Sequence, residues 1–417
     1  MANQYNTSDQ AFLFKETWSD LSFNSYNSAT PILSRVRKKF DLQGLKDHVA
    51  IPLGPAGGIG GLVNGYLPQG RGSSGGQMEI TAKDVVGIAT IDRKAMKASM
   101  TDKGSFVRFT KEPVERCVES YNTVCNILWH GNGTGNFATT DTTGYVSGGA
   151  SAPVIQFSAA TFHERWFPKN LQFNFANSGD TGVEDGLFAV TSVDATNRRV
   201  TFARESGTFD LSSGTNADSR KIYLQNMFKA APMGLEGTVM KSSGTIYTLA
   251  YDATSWGSLV IDAAGKPPSV QLLNSAFSQQ STRVEDGRLP NVILTSPEVY
   301  SILQDIWEPT KRIMLMPRDQ KLTKASGFGI SGLLYETLEG QEVAIVKDKH
   351  CWKDRIYGLY DETMYMHHLP DQGWWDEDGK VFMRVDGRPW YSGTYGGYFE
   401  NVINPQYQLA IDNLGIS

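Results

Sequence analysis

A glycine-rich tract near the start of the chain restricts the fold more than any other feature. Ten of the 26 residues from Pro52 to Gln77 are glycine. Glycine loses more conformational freedom on folding than any other residue, so a tract of this kind is costly to order. It also carries few large apolar side chains with which to build a core. We therefore expect it to become ordered only by lying on another subunit.

Two short β-branched segments flank the tract, HVAIPL from His48 and VVGIATIDR from Val85. We predict that these segments pair as the two strands of a hairpin, within residues 46–96, with the glycines at its far end. At about 3.3 Å per residue the ribbon would extend on the order of 50–60 Å. An isolated two-stranded ribbon is marginally stable in water, which again predicts contact with a neighbouring subunit.

Residues 1–30 form a second segment that cannot build its own core, because Asn, Ser and Thr dominate it among scattered aromatics. We interpret it as an arm that lies on another subunit. A basic cluster follows it: Arg35, Arg37, Lys38 and Lys39. The simplest interpretation of the cluster is the solvated face of a short helix with Ile32, Leu33, Val36 and Phe40 on its other face. Contact with DNA or with a neighbouring subunit is the alternative.

Composition excludes several classes of protein. The chain has 417 residues and a net charge of -5, which argues against a protein whose main role is to neutralise the phosphates of nucleic acid. Cys117 and Cys125 lie eight residues apart in a predicted helix, so their Cα atoms are about 12 Å apart, too far for a disulfide. We expect an intracellular product without a disulfide framework. No signal-peptide pattern and no apolar run of membrane-spanning length occur in the sequence.

The clearest helix lies between the hairpin and the middle of the chain. Apolar residues recur at spacings of three and four from Val114 to Leu128, and the charged residues Glu115, Arg116 and Glu119 fall on the opposite side. The pattern predicts a helix over about 105–129, ended by the sequence HGNGTGN, in which a glycine supplies a left-handed cap.

The rest of the chain alternates strands and helices. Short alternating runs separated by turn residues predict a small, inserted all-β module over 160–228. A helix is predicted over Ser269–Asp286, and a strand followed by a helix at NVILTSPEVYSILQDIW. In that second helix Ser296 is the predicted cap and Pro297 the first helical residue. Its predicted inward face is Val299, Ile302, Leu303 and Ile306. The remainder is strand-rich, so the fold class is α+β.

The sequence offers little for catalysis or for binding of cofactors. The glycine tract lacks the lysine that a phosphate-binding loop requires. His367 and His368 are adjacent and point to opposite faces of a strand, and Cys351 beside His350 has no further ligand at zinc spacing. We therefore expect no metal and no other cofactor.

One acidic and aromatic segment, DQGWWDEDG from Asp371 to Gly379, leaves a carbohydrate-active enzyme open as an alternative. Sugar-cleaving sites combine aromatic platforms with an acid and a base, here Asp376 and Glu377. Because spacing along the chain does not establish a carboxylate pair, we expect the chain not to be an enzyme.

The order of these elements resembles that of the major capsid proteins of tailed double-stranded DNA bacteriophages, the Hong Kong 97-type fold. The resemblance rests on the arm, the extended loop and the long helix ending in LWHGNGTG. Three later segments add to it: LPNVILTSPEVYSIL, GKVFMRVDGRPWY and YFENVINPQY.

The resemblance implies a division of the chain into six parts. These are an N-terminal arm with a short basic helix (1–45), an extended loop (46–96), a peripheral domain with a spine helix (97–159), the inserted all-β module (160–228), an axial domain (229–375) and return strands to the peripheral domain (376–417). In some members a lysine on the extended loop forms a covalent cross-link. Here the single lysine between His48 and Thr90 is Lys83, outside the glycine tip, so we assign no residues to such a link.

The function implied by the resemblance is self-assembly into hexamers and pentamers of an icosahedral shell around double-stranded DNA, which is packed without sequence specificity. Expected partners are identical subunits, a separate scaffolding protein, a portal and a decoration protein, with no membrane. Expected contacts at the loop tip are Ile59, Leu62, Val63, Tyr66 and Leu67 as apolar anchors, and Arg71 paired with a neighbour's carboxylate. The expected location is the virion, assembled in the cytoplasm of a bacterial host.

A different oligomeric virion protein, from a tail or a decoration, is the main alternative. Such a protein would be expected to lack the long capped helix.

Overall fold

The computed structural model describes residues 31–42, 44, 46–54, 57–61, 67, 69–93, 103–213, 215–284, 288–307, 333–337, 340–370, 372–376, 381–384 and 389–416. The predicted arm, residues 1–30, lies outside these residues. Mixed sheets with few helices confirm the predicted α+β class.

The helices are, in chain order, α1 (Pro31–Arg35), α2 (Lys103–His130), α3 (Leu235–Thr238), α4 (Val270–Ser281) and α5 (Pro297–Trp307). The strands are β1 (Arg37–Lys39), β2 (Lys46–Pro52), β3 (Gly75–Thr81), β4 (Lys83–Asp92), β5 (Asn136–Ser147), β6 (Val154–Phe157), β7 (Gln172–Phe175), β8 (Gly186–Asp194), β9 (Arg199–Gly207), β10 (Lys221–Leu224), β11 (Thr245–Ile246), β12 (Leu249–Ala250), β13 (Leu259–Asp262), β14 (Val292–Thr295), β15 (Leu333–Glu336), β16 (Glu342–Lys347), β17 (Ile356–Leu359), β18 (Met364–His368), β19 (Gly373–Trp374), β20 (Met383–Arg384), β21 (Trp390–Ile403) and β22 (Leu409–Asp412).

Strand β21 is the centre of one sheet, here called the β21 sheet. Its C-terminal half pairs with β18, its N-terminal half pairs with β19 and β20, and β4 runs antiparallel along its other edge. Strand β1 joins the sheet parallel to β18. The predicted pairing of the segments around His48 and Val85 is therefore wrong. Strand β2 pairs with β3, and β4 pairs with β21, because a partner far along the chain competes successfully with the nearby one.

The middle of the chain forms a closed barrel in the order β10-β5-β6-β9-β8-β7. Five fully buried phenylalanines fill its interior: Phe157, Phe173, Phe175, Phe188 and Phe202. The barrel begins at Asn136, ahead of the all-β module predicted from residue 160. Strand β5 was missed at the sequence level because threonine, aspartate and glycine interrupt its apolar alternation.

A second sheet, here called the β14 sheet, has the order β13-β22-β17-β14-β16-β15. Helices α4 and α5 contact it, and each begins after a serine cap. Ser269 Oγ accepts from Leu272 N–H, and Ser296 Oγ, the predicted cap, accepts from Val299 N–H. Val299 and Leu303 are fully buried. The predicted inward position of Ile306 is wrong, because its side chain is exposed near the end of α5.

Helix α2 connects these parts. It is 28 residues long, about 42 Å, and covers the predicted span of 105–129. Beyond its amphipathic half the last turns are buried on every side, including Asn122, Asn126 and His130. The helix ends at His130, and the left-handed glycines that turn the chain into β5 are Gly133 and Gly135.

The C-terminal carbonyls of α2 form a closely packed contact with the start of α3. A Cβ placed on Gly234 would lie 2.5 Å from the carbonyl oxygens of Leu128 and Gly131 and 2.7 Å from that of Trp129. Backbone atoms cannot move aside as a flexible side chain would, so this position tolerates glycine only.

We expect Gly234→Ala to lower the free energy of unfolding by about 2–3 kcal/mol through this overlap. The measurement is chemical denaturation of the full chain. Gly149→Ala is the matched control, because open space surrounds its Cβ position, and it should change stability by less than about 0.5 kcal/mol. Equal stability of the two variants would contradict the contact.

Candidate subunit-contact site

The hairpin of β2 and β3 divides into a base and a tip. Its base pairs from Lys46 opposite Thr81 to Pro52 opposite Gly75, and an isolated bridge joins Gly57 to Arg71 further out. We call residues 57–71, which this bridge closes, the tip.

The base is ordered by its own chain. Met78 and Ile80 are buried with Ile246, Tyr247 and Trp256, and the amide of Glu79 donates to the Tyr247 carbonyl at 2.9 Å. The expectation that the whole ribbon becomes ordered only on another subunit is therefore wrong for the base. The end of the glycine tract leads directly into apolar residues that have an intramolecular partner.

The tip has no such cover among the residues that the structure describes. Ile59 is 94% exposed and Leu67 is 83% exposed, values that few large apolar residues reach in a folded protein. Positions Gly61, Gly70 and Gly72 face open space. Of the other predicted anchors, Leu62, Val63 and Tyr66 lie outside the described residues, and Arg71 is exposed at the bridge to Gly57.

A second exposed apolar patch lies on β4. Val85, Ala89 and Ile91 point inward and are buried, whereas Val86 and Ile88 point outward and are 45% and 64% exposed.

The opposing residues on β21 shape this outward face. Gly396 lies opposite Val86 and Thr394 opposite Ile88. Gly396 is buried, has a φ of +152°, and a Cβ there would lie 2.3 Å from the Val85 carbonyl, so this position requires glycine. We call Val86, Ile88, Thr394 and Gly396 the receiving strip. The strip was not predicted from the sequence, although the alternation of β-branched residues on β4 was a usable signal.

The predicted basic cluster is arranged differently from the expectation. The predicted single helix face is wrong, since helix α1 ends at Arg35 and the next three basic residues form strand β1. Arg37 and Lys39 are exposed, the first 3.6 Å from Glu362 and the second over the Tyr365 ring at 3.8 Å. Burial lowers the pKa values of Arg35 and Lys38.

Apolar residues around the cluster follow the expectation in part. Ile32, Leu33 and Val36 are buried, whereas Phe40 is half exposed and stacks on His368.

The adjacent histidines considered as possible metal ligands have other contacts in the structure. His367 contacts Asp41 at 2.7 Å, while His368 packs between Phe40 and Phe399. Within the described ranges no three His, Cys, Asp or Glu side chains are grouped to hold a metal ion.

The acidic and aromatic segment also packs on its own sheet. Trp374 lies against Tyr395, and Trp375 stacks on Tyr398. Asp376 is exposed, and Glu377 lies outside the described residues. The two indoles therefore contribute to packing of the β21 sheet.

Helices long and apolar enough to cross a membrane are absent from the described part of the chain.

Glu400 on β21 is a buried carboxyl group beside the hairpin base. Its Oε1 accepts from the amides of Met233 at 2.5 Å and Asn401 at 3.2 Å. Burial raises the pKa of Glu400 to about 8, an effect that these two amides and the Lys83 ammonium oppose.

Comparisons with known proteins identify the fold. No protein-family model matches the sequence, and no curated protein does either. The structure is similar to a chain of the cyanophage A-1(L) capsid asymmetric unit, with 12% identity, 93% of each chain covered and a TM-score of 0.53. It also matches a chain of the satellite phage P4 procapsid that includes size determination protein, at 9% identity, 99% and 98% coverage and a TM-score of 0.41.

An encapsulin complex from Synechococcus elongatus matches at 8% identity, 93% and 88% coverage and a TM-score of 0.43. The similarity to the cyanophage chain confirms the predicted resemblance at the level of the fold: this chain has the fold of a phage capsid subunit.

Glu400 predicts a specific pH dependence of stability. Its folded pKa, about 8, lies above its ordinary value of 4.5, so the folded chain holds a proton that the unfolded chain releases. Stability contributed by this proton is complete below pH 4.5 and falls as the pH rises through about 8.

We expect Glu400→Gln to raise the free energy of unfolding at pH 8.5 by on the order of 2 kcal/mol and to change it little at pH 4.5. Melting curves at both pH values measure this. Glu362→Gln is the control, because that carboxyl group is exposed. A gain of the same size at both pH values would contradict the buried-proton explanation.

Proposed function

We propose that this chain is the major capsid protein of a tailed double-stranded DNA bacteriophage. Its copies assemble into hexamers and pentamers of an icosahedral shell that encloses the genome, and its location is the virion. The observation that carries the proposal is the fold shared over 93% of both chains with a cyanophage capsid subunit. Exposed apolar side chains on the tip and on β4 support it, because exposed apolar surface marks sites of protein contact.

The elements correspond to a Hong Kong 97-type subunit in this proposal. Helix α2 is the spine helix, the β2–β3 hairpin is the extended loop, and the β21 sheet belongs to the peripheral domain. The β14 sheet with α4 and α5 forms the axial domain, and the barrel is an insertion. Contact is the function of such a subunit, so no catalytic residue is assigned.

The tip of one subunit is proposed to lie on the receiving strip of the next. Ile59 and Leu67 would cover Val86 and Ile88, removing from water apolar surface on both chains. Burying these side chains contributes about 1.5–3 kcal/mol each, which is enough for one of the many modest contacts of a shell. Arg71 on the tip carries charge opposite to Asp84, which is exposed beside the strip.

The DNA-facing surface is proposed to bind without sequence specificity. Arg37 and Lys39 are exposed and available for phosphate or neighbour contacts, whereas Arg35 and Lys38 are half-buried. A scaffolding protein, a portal and a decoration protein complete the proposed partners, with assembly in the cytoplasm of the bacterial host.

The first test replaces the two exposed tip residues. We expect Ile59→Asp with Leu67→Asp to reduce the assembled fraction at least tenfold, because two charges would enter an apolar contact. Analytical ultracentrifugation and negative-stain microscopy measure assembly, with and without a co-expressed scaffold.

The matched control, Gln69→Asp with Ser73→Asp, adds the same charge to exposed polar positions of the same loop and should assemble like the parent chain. A parent chain that stays monomeric at high concentration would overturn the capsid proposal. Open tubes in place of closed shells would favour a tail protein.

A second test asks whether tip and strip touch each other. Ile59→Asp and Ile88→Asp each weaken assembly, and the double variant should lose less than the sum of the single losses by about 0.5 kcal/mol or more. Val183→Asp, an exposed β-branched residue on the barrel, is the control and should show no coupling to Ile59→Asp. Strict additivity of Ile59→Asp and Ile88→Asp would place the tip elsewhere on the neighbour.

A further inference from the structure

The turn after β16, residues 348–351, lies where α2, the barrel and the β14 sheet meet. All three peptide carbonyls after Asp348 are bound by side chains from residues 163–166, the connection between β6 and β7 of the barrel. Arg165 donates to the Lys349 carbonyl at 3.3 Å, Trp166 Nε1 to that of His350 at 2.9 Å, and His163 Nε2 to that of Cys351 at 2.9 Å. We call residues 163–166 together with 348–353 the clasp.

Two ion pairs extend the clasp on its outer side. Lys353 contacts Glu164 at 2.7 Å, and Arg165 contacts Glu298 of α5 at 2.8 Å. Each is partly exposed to water, so each contributes little to the attachment. The two buried hydrogen bonds, from Trp166 to the His350 carbonyl and from His163 to the Cys351 carbonyl, therefore carry most of the attachment.

The long helix holds the same turn from the other side. The Asp348 carboxylate accepts from Asn126 Nδ2 at 3.0 Å and lies 3.3 Å from His130 Nε2, while its own amide donates to Thr295 at 2.8 Å. Asp348, Asn126 and His130 are all buried. The turn is thus fixed to α2 and to the β14 sheet independently of the barrel.

On the barrel side of the clasp, residues 163–166, His163 is the group whose hydrogen bonds require one protonation state. Its Nε2 must carry a hydrogen to donate to Cys351, and its Nδ1 must be bare to accept from the Arg165 amide at 3.3 Å. The neutral ring satisfies both contacts. A second proton can be added only at Nδ1, where it would face the Arg165 N–H, donor against donor.

We propose that the clasp is an acid-sensitive joint, in which proton uptake by His163 releases the barrel connection from the β14 sheet while both units stay folded. Released, the imidazole becomes solvated and charged, and the Cys351 carbonyl is exposed to water. The Asp348 turn stays attached to α2.

The titratable and charged groups that face His163 from the elements packed against it favour its neutral state. They are Glu164 and Arg165 on its own segment, Asp348, Lys349, His350 and Lys353 on the turn, His130 on α2 and Glu298 on α5. Glu164 is paired with Lys353 and Glu298 with Arg165, while the Asp348 carboxylate accepts from Asn126 and lies 3.3 Å from His130 Nε2.

Titration supports the same direction. Burial lowers the pKa of His163 to about 4 and that of His350 to about 3, against an ordinary value of 6.5. His163 is neutral in the closed clasp and takes up a proton near pH 6.5 once released, whereas His350 stays on the attached turn with its Nδ1 2.7 Å from Asn126 Nδ2 and remains neutral. Stability of the closed clasp is therefore complete above pH 6.5 and is lost as the pH falls towards 4.

Hydrogen exchange of the full chain, corrected for the intrinsic rate at each pH, measures the release. We expect protection of amides in 163–167 and 349–353 to fall about tenfold per pH unit below about pH 6.5, while β8 and β9 of the barrel and β14 and β17 of the sheet keep theirs. Loss of protection in the clasp and in those strands at the same pH would overturn the proposal. So would protection in the clasp that does not change down to pH 5.

A variant separates His163 from other acid effects. His163→Gln retains an amide hydrogen for the Cys351 carbonyl but cannot take up a proton, so its clasp protection should not vary with pH. His48→Gln, an exposed histidine on β2, is the matched control and should behave like the parent chain. If His163→Gln does not fold, the order of release in the parent chain still decides. Undiminished pH dependence in a folded His163→Gln would assign the effect to another group.

Discussion

Burial of the last turns of α2 on every side is the constraint on which the rest of the structure depends. Asn122, Asn126 and His130 follow one another at intervals of four residues, so they form one stripe along the helix, and all three are fully buried. A buried polar stripe is costly unless it is hydrogen-bonded, and Asp348 supplies partners for its C-terminal part. The helix thus fixes the turn at Asp348, and that turn positions the barrel connection.

Local signals in the sequence predicted the helices well and the strand pairing poorly. The predicted cap at Ser296 and the predicted stop near His130 depend on residues within a few positions of each helix end. Strand β4 pairs instead with β21, far along the chain, and no local pattern encodes that choice. The polar stripe on α2 could not be recognised as buried either, because its partner Asp348 is equally distant in sequence.

The glycine tract shows the same division at smaller scale. Its glycine content led to the expectation that it becomes ordered only on another subunit, and that expectation is wrong for the hairpin base. The sequence could not show that the partner of the base belongs to the same chain. Met78 and Ile80 pack on residues around Trp256, which lie far along the chain. At the tip, the exposed side chains of Ile59 and Leu67 have no apolar cover in the described part of the subunit.

Strand β4 contributes both to the buried core of the subunit and to its exposed surface. Its inward residues pack on α2, with Gly87 close enough to Cys117 that a Cβ would lie 3.1 Å from the sulfur, while Val86 and Ile88 face outward on the same ten-residue strand. Because successive side chains of a strand point to opposite faces, the position of the outward pair is set by how the inward face sits on the helix. A shift of one residue in register would exchange the two faces. The packing of β4 on α2 that contributes to the core of the subunit therefore also sets the geometry of its exposed apolar face.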